Sequence, residues 1–499
     1  MSFGASGWRQ RPFLFYADMN IAAAILLGLT LAYACIQQAG VAPLDWNPCV
    51  LAIGLIASAY FLIPRRKRIP GANRLVMVSA WTALGVAALQ LAPLPLGLVR
   101  ILSPARVELL RATAPVAGGL PGSVTLTVAP YATAQALLSL AAYAVVFLLV
   151  RDLTLRLGRY PWAIVWPLIV VTTLEAAIGF YQAYGDGGSS QATGTYNSRD
   201  HYAGLLEMAL PFAAMYAVAI LQRNLQPKGM PARAAIQACG MMISAALILI
   251  GIVFALSRMG FFCALAALVV AASLTLSVRG WRDDERVAAP LWRRALPAAI
   301  VAVVVLAGFV VLPSATLITR FSDLAHTEDI TADTRAQLWR DSVPLIKDYP
   351  VFGCGFGAYE SCFLKYKTVA PMSTADFAHN DYVQVLAELG IVGFAAGMVF
   401  VLRILAGVGR NVLYAHSIDE RCRSIACVAS MTAMLLHSVV DFNMYVPANA
   451  MVFAWIAGVA SSSLGARRSV PDAASERLPI PGRQGWASAG MRESRRRTT

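Results

Sequence analysis

The sequence predicts an all-α, polytopic membrane protein, and three observations carry that prediction. The 499-residue chain is 58% hydrophobic and 14% charged, whereas a soluble domain is about one-quarter charged. Apolar runs of the ~20 residues needed to cross a bilayer recur about twelve times. They are centred near residues 29, 55, 84, 141, 172, 212, 246, 269, 304, 390, 433 and 456. With the N-terminus on the cytoplasmic side, 30 of the 41 lysines and arginines fall in cytoplasmic segments. That overall excess is the asymmetry the positive-inside rule expects.

The elements follow in order. The first apolar run ends in "LAYAC" at Cys35 and reads as an uncleaved helix, because the tyrosine before Ala34 suits a cleavage site poorly and eleven more runs follow. Residues 1–464 form one polytopic domain. Three of its outer segments are long. Residues 95–130 are rich in proline and glycine, with a short amphipathic piece around Arg106–Ala112. Residues 185–201, "GDGGSSQATGTYNSRDH", begin flexible and end polar. Residues 314–378 make an excursion far longer than a connection needs, and short helices are expected inside it. There "TADTRAQLWRDSVPLIKDYP" reads as a helix, with Thr331 or Thr334 as its cap and Pro350 as its stop. "GCGFGAYE" follows as a tight turn. It lacks a preceding strand and a lysine–Ser/Thr ending, so it is no nucleotide loop. The basic tail, 465–499, reads as solvated, disordered and cytoplasmic, close to anionic lipid.

Charge and cysteine usage exclude some classes. The net charge of +14 is mostly topology, so nucleic-acid binding is not expected. The eight cysteines show no metal-ligand spacing, and no metal or cofactor is expected. Cys354 and Cys362 share the long outer loop, and their spacing allows a disulfide or two free thiols.

The informative cations are those that topology does not explain. Arg258 stands alone in "ALSRMG", a tight outer hairpin. Arg335 lies in the long loop and Arg199 ends the second one. Arginine presents a planar fork of donors that suits phosphate oxygens, so converging outer arginines would make an anion clamp. Ion pairs with Asp186, Asp323, Asp333 or Glu360, or with lipid headgroups, are the plainer reading.

The stretch "AHNDYVQVLAELGIVG" opens the tenth span with His379, Asn380 and Asp381. A continuous helix turns by about 100° per residue. That rotation sets Tyr382, Leu386, Gly390, Gly393 and Gly397 on the side of His379, and Asp381, Gln384 and Glu388 on the other. The glycine stripe suits close helix packing, or a groove for an acyl or prenyl chain. A histidine at the water boundary can exchange protons near neutral pH or serve as a hydrogen-bonded anchor. Glu388 reads as an interhelical hydrogen-bonding residue.

These stretches, in order, resemble the O-antigen ligase and polymerase family of bacterial envelope enzymes over about residues 170–460. "TGTYNSRDHYAGLLEMALPF" resembles its Asn-containing segment, "LSRMG" its Ser-Arg hairpin, and "RAQLWRDSVPLIKDYPVFGCGFGAYE" its outer helix and glycine turn. "HNDYVQVLAELGIVG" resembles the ligase pattern of His-Asn, nine residues and Gly-x-x-Gly. "HSVVDFNMYVPANAMVF" resembles the last outer corner. The resemblance implies an enzyme of the bacterial inner membrane whose active site faces the periplasm. It implies glycan transfer from an undecaprenyl-pyrophosphate-linked donor to a hydroxyl of a glycan, lipid A-core or protein acceptor, without metal or nucleotide. It implies His379 as the base, and Arg258, Arg335 and Arg199 as pyrophosphate ligands. Asn197, His201, Asn380 and Asp441 stand second. A plain pair between Asp441 and His437, capping a span, is the simpler expectation for those two. Ligase-type transfer is the preferred activity and polymerisation of lipid-linked repeat units the alternative. A twelve-span transporter or flippase is the remote one, because the two halves of the chain do not match.

Overall fold

A computed structural model describes residues 11–63, 69–185, 191–224, 230–278, 332–368 and 375–464. Over these residues the protein is helical almost throughout. Helices α1 (Arg11–Ile36), α2 (Pro43–Leu62) and α3 (Arg74–Leu91) come first, and the Asn73 side chain caps α3 by accepting from the Leu75 and Val76 amides. Then come α4 (Leu96–Leu102), α5 (Pro104–Ala117), α6 (Pro130–Arg156) and α7 (Trp166–Tyr184). A two-stranded antiparallel ladder, β1 (Leu94–Pro95) with β2 (Ser123–Val124), brackets α4 and α5. The membrane helices continue with α8 (Arg199–Asn224), α9 (Ala232–Phe254) and α10 (Arg258–Ser277). After the long loop's helices α11 (Ala332–Asp348) and α12 (Tyr359–Phe363) come α13 (Asp381–Tyr414), α14 (Ile418–His437) and α15 (Pro447–Ser462).

Among the described residues, eight of these helices are long and apolar enough to cross a membrane: α1, α2, α3, α6, α8, α9, α10 and α13. Helices α7, α14 and α15 stand where spans are expected but do not meet the same measure. The span expected near residue 304 and the tail, 465–499, lie outside the described residues, as does all of 314–331.

Helix α8 is the centre of the bundle. Most of its membrane window is buried, and it packs on α9, α10 and α14. Hairpins set α8, α9 and α10 alternately up and down. The link before α8 is tied to the end of α9, where the Ala192 amide donates to the Phe254 carbonyl at 2.8 Å. The N-termini of α8 and α10 therefore open on one face of the bundle. His201 of α8 approaches Asp441 (below), which puts the start of α13 and the end of α14 on that same face.

One local reading changes, and a second is filled in. Helix α13 is not continuous: Gly390 has φ 62° and ψ −170°, a backbone open to glycine. A Cβ there would collide with the Val351 carbonyl and the Gly353 amide. The wheel that set Gly390, Gly393 and Gly397 in one stripe below His379 assumed an unbroken helix, so the break ends that stripe. Glu388 bonds from α13 to the glycine turn, to the start of α12 and to the corner after α14. It accepts from the amides of Gly357 (2.8 Å) and Tyr359 (3.1 Å) and from the Tyr445 hydroxyl (2.7 Å). The turn 353–357 uses positive φ at all three of its glycines; its Gly357 amide, with that of Tyr359 just beyond, points at the Glu388 carboxylate. Gln90 seals the joint by donating to the Glu388 carbonyl and accepting from the Phe356 amide.

Candidate functional site

The site gathers where α8, α13 and the corner after α14 meet. Helix α13 begins with Asn380 as its cap, its Oδ1 accepting from the Tyr382 (3.0 Å) and Val383 (3.1 Å) amides. On the other side of His379, Ala378 is held twice. Its amide donates to Gln384 Oε1 and its carbonyl accepts from Trp339 Nε1, each at 2.9 Å. His379 is thus pinned on both flanks and takes φ +47°. A side-chain-bearing residue in that region costs about 1–3 kcal/mol and persists where the surroundings impose it, often at functional sites. Among the described residues, three others share this backbone: Gln38, Ala39 and Leu256. Leu256 leads into Ser257 and Arg258. Gln38 accepts from the Asn197 side chain at 2.7 Å.

The corner 438–445 is bonded to the start of α13. The Asp381 amide donates to the Ser438 and Asp441 carbonyls, and Asp381 Oδ2 accepts from the Met444 amide. This sets Asp441 between two imidazoles. His379 Nδ1 lies 3.4 Å from one carboxylate oxygen and His201 Nε2 lies 3.7 Å from the other. These are ion-pair separations, too long for aligned hydrogen bonds. Burial pushes the Asp441 carboxyl up, but the two imidazoles prevail and hold it well below the usual carboxylate range. His379 is the most open of the three side chains, 16% exposed against 10% for His201 and 5% for Asp441. His201 is fixed through its carbonyl, which accepts from Asn449 of the "PANA" corner at 2.9 Å.

An expected pair does not form. His437 turns to Glu207, its Nδ1 lying 3.1 Å from both carboxylate oxygens. The α8 carboxylate faces the ring across the buried interface, while Asp441 is drawn to the histidines above. Cys263 joins this pair: Glu207, Cys263 and His437 place one ligand atom each within 4.8 Å of one another. All three are buried, and their mixed O, S and N donors could hold a zinc-like ion. Spacing along the chain cannot show such a group, because it comes from three helices.

The three arginines stand on three helices, each in the first turn: Arg199 opens α8, Arg258 opens α10, and Arg335 is the fourth residue of α11. Arg258 is exposed, Arg199 and Arg335 half-buried. Arg335 Nε is buried without a hydrogen-bond partner. Helix N-termini carry partial positive charge, so the starts of α8, α10 and α13 add to the positive character of this face. In the long loop, Cys354 and Cys362 are buried free thiols.

Aromatic residues missed in the sequence complete the site. The Phe442 ring stands edge-on to both imidazoles, 4.6 Å from His201 and 4.8 Å from His379, and stacks on Phe377 at 4.0 Å. Phe377 meets Tyr445 at 5.9 Å, and Tyr445 meets Phe356 at 6.1 Å. Tyr445 and Phe356 in turn line an apolar cavity of about 420 Å³ between α3, α6, α13 and α15, with Gly393 and Gly397 on its wall. The only sequence signal for these rings was their adjacency: Phe377 lies two residues before His379, and Phe442 directly follows Asp441.

Comparison with known proteins agrees with the reading by motif. Residues 243–398 match the family model described as O-Antigen ligase. That stretch holds Arg258, Arg335, His379 and Asn380, and ends before Asp441. Comparison with curated proteins gives no match. Over residues 243–398, about a third of its length, this helical membrane protein is thus similar to the O-antigen ligase family.

Proposed function

We propose that the protein transfers a glycan from a lipid-linked diphosphate donor to an acceptor hydroxyl, with His379 as the base. The observation that carries this reading is the Asp441 carboxylate set between His379 and His201. His379 Nδ1 faces the carboxylate, so Nδ1 holds the ring proton and Nε2 keeps a lone pair for the acceptor. The acceptor oxygen bonds to the anomeric carbon as its proton passes to His379. The bond from that carbon to the diphosphate oxygen breaks, and the diphosphate lipid leaves with the electron pair. The imidazolium so formed sits against the Asp441 carboxylate. The long 3.4 Å contact suits a pair that tightens only when the ring charges.

The leaving group is already good, so the protein has to hold its charge and position the acceptor. Arg258, Arg335 and Arg199 serve as the diphosphate ligands, supported by the helix N-termini that carry them. Asn380 holds the start of α13 beside His379, and Asn197, two residues before Arg199, ties its segment to the Gln38 side chain. The donor is undecaprenyl pyrophosphate bearing a glycan, and part of its prenyl chain lies in the apolar cavity. The acceptor is lipid A-core, another glycan or a protein. The site faces the periplasm of the inner membrane, and the reaction uses neither metal nor nucleotide.

Purified full-length protein, reconstituted with one lipid-linked donor and alternative acceptors, tests this. Transfer to lipid A-core or protein is the expected result. Elongation of the donor alone would instead make it a polymerase. Donor flipping without a new glycosidic bond would sink the enzyme reading.

A further inference from the structure

We propose that Phe377 and Phe442 form the seat for the donor's first sugar, the one whose anomeric carbon bears the diphosphate. The inference rests on the function just proposed and adds a binding subsite to it.

The seat follows from how two kinds of surface meet. His379 and Asp441 are polar. Each has a half-buried phenyl ring within two residues of it in sequence, and those two rings lie flat on one another, 4.0 Å apart and 5° from parallel. One small patch therefore offers hydrogen-bonding groups on one side and an aromatic surface on the other. A pyranose is built the same way, with hydroxyls around its rim and C–H groups on its faces. The negative face of a phenyl ring attracts such weakly positive C–H groups, while the rim hydroxyls meet the imidazoles and carboxylate.

Continuity selects the donor sugar over the acceptor. The rings run unbroken from Phe442 through Phe377 and Tyr445 to Phe356, and the last two line the apolar cavity. A lipid in that cavity reaches the histidines along this run. The first sugar beyond its diphosphate then arrives at Phe377 and Phe442, with its anomeric carbon turned toward His379. The acceptor is left to approach from the open side of that histidine.

The test is binding, so it does not depend on turnover. Full-length protein in nanodiscs is titrated with undecaprenyl diphosphate bearing one hexose, and separately with sugar-free undecaprenyl diphosphate. Phe377→Ala, and the volume-preserving Phe377→Leu, should weaken the sugar-bearing lipid by about tenfold and leave the sugar-free lipid unchanged. Phe377→Trp should restore binding. Equal weakening of both lipids, or no change in either, would overturn the proposal. Should the alanine variant fail to fold, the leucine and tryptophan variants decide the matter. Failure of the wild type to transfer glycan would remove the function proposed above, while this binding comparison would still stand.

Discussion

Glu388 and Asp441 are both buried carboxylates beside the start of the same membrane helix, yet they are held in opposite ways. Glu388 is saturated by two backbone amides, a tyrosine hydroxyl and the Gln384 side chain. Its donors are fixed in place and keep their protons, because burial and then the carboxylate itself push the Tyr445 hydroxyl well above its ordinary value. Asp441 accepts the Phe442 amide at 2.9 Å, but its other neighbours are two imidazoles at a distance. Those partners can gain and lose protons and can move closer. A carboxylate whose bonds are complete and permanent clamps structure. One with slack, titratable neighbours is placed for chemistry.

The strongest way to break that contrast is at the base. His379→Ala should lower transfer by about 10²–10⁴-fold, with expression and membrane insertion unchanged. Normal glycan attachment in that variant would remove the base from the mechanism. Asp441→Asn should follow, with a loss of about 10²-fold in kcat and a modest fall in melting temperature at neutral pH, the part that the depressed carboxyl contributes. Acidification sharpens this. A carboxyl depressed in the folded state contributes stability that is complete above its ordinary value of about 4 and is lost as the pH falls through the folded value. Wild type should therefore lose stability on acidification through that range more steeply than Asp441→Asn.

Glu388→Ala should do the reverse of Asp441→Asn. It strands two buried amides and a tyrosine hydroxyl, at a cost of about 1–3 kcal/mol for each. A clear fall in melting temperature in detergent is expected, with kcat of the folded fraction changed least. If Glu388→Ala melts like wild type but is inactive, the division between the two carboxylates is wrong. Arg258→Lys should weaken donor binding several-fold, because a point charge replaces a fork. The smallest effect is expected from a chelator, which should leave transfer intact. Loss of transfer restored by zinc would instead bring the Glu207, Cys263 and His437 group into the reaction.

Much of this was legible from residues alone. Apolar runs located the helices, because crossing a membrane demands length and hydropathy that few other structures need. His379 and Arg258 stood out as polar residues at membrane boundaries where plain packing gains nothing from them. What stayed hidden depends on contacts across long stretches of chain. His201 and Asp441 are 240 positions apart, and nothing in either segment announces the other. His437 had an apparent partner one turn away, and a carboxylate on a different helix outcompeted it. The glycine stripe failed for another reason: helical periodicity assumes a continuous helix, and Gly390 interrupts it to admit the turn 351–353.

That interruption has a mechanical consequence. Residues 381–389 form a short segment fastened to the turn 353–357 by Glu388 and to the corner by Asp381, while 391–414 make the longer, apolar part of the candidate span. A joint between them insulates one from the other. When the bilayer thins or thickens, the lower shaft can tilt to match it without levering the histidine away from its aspartate.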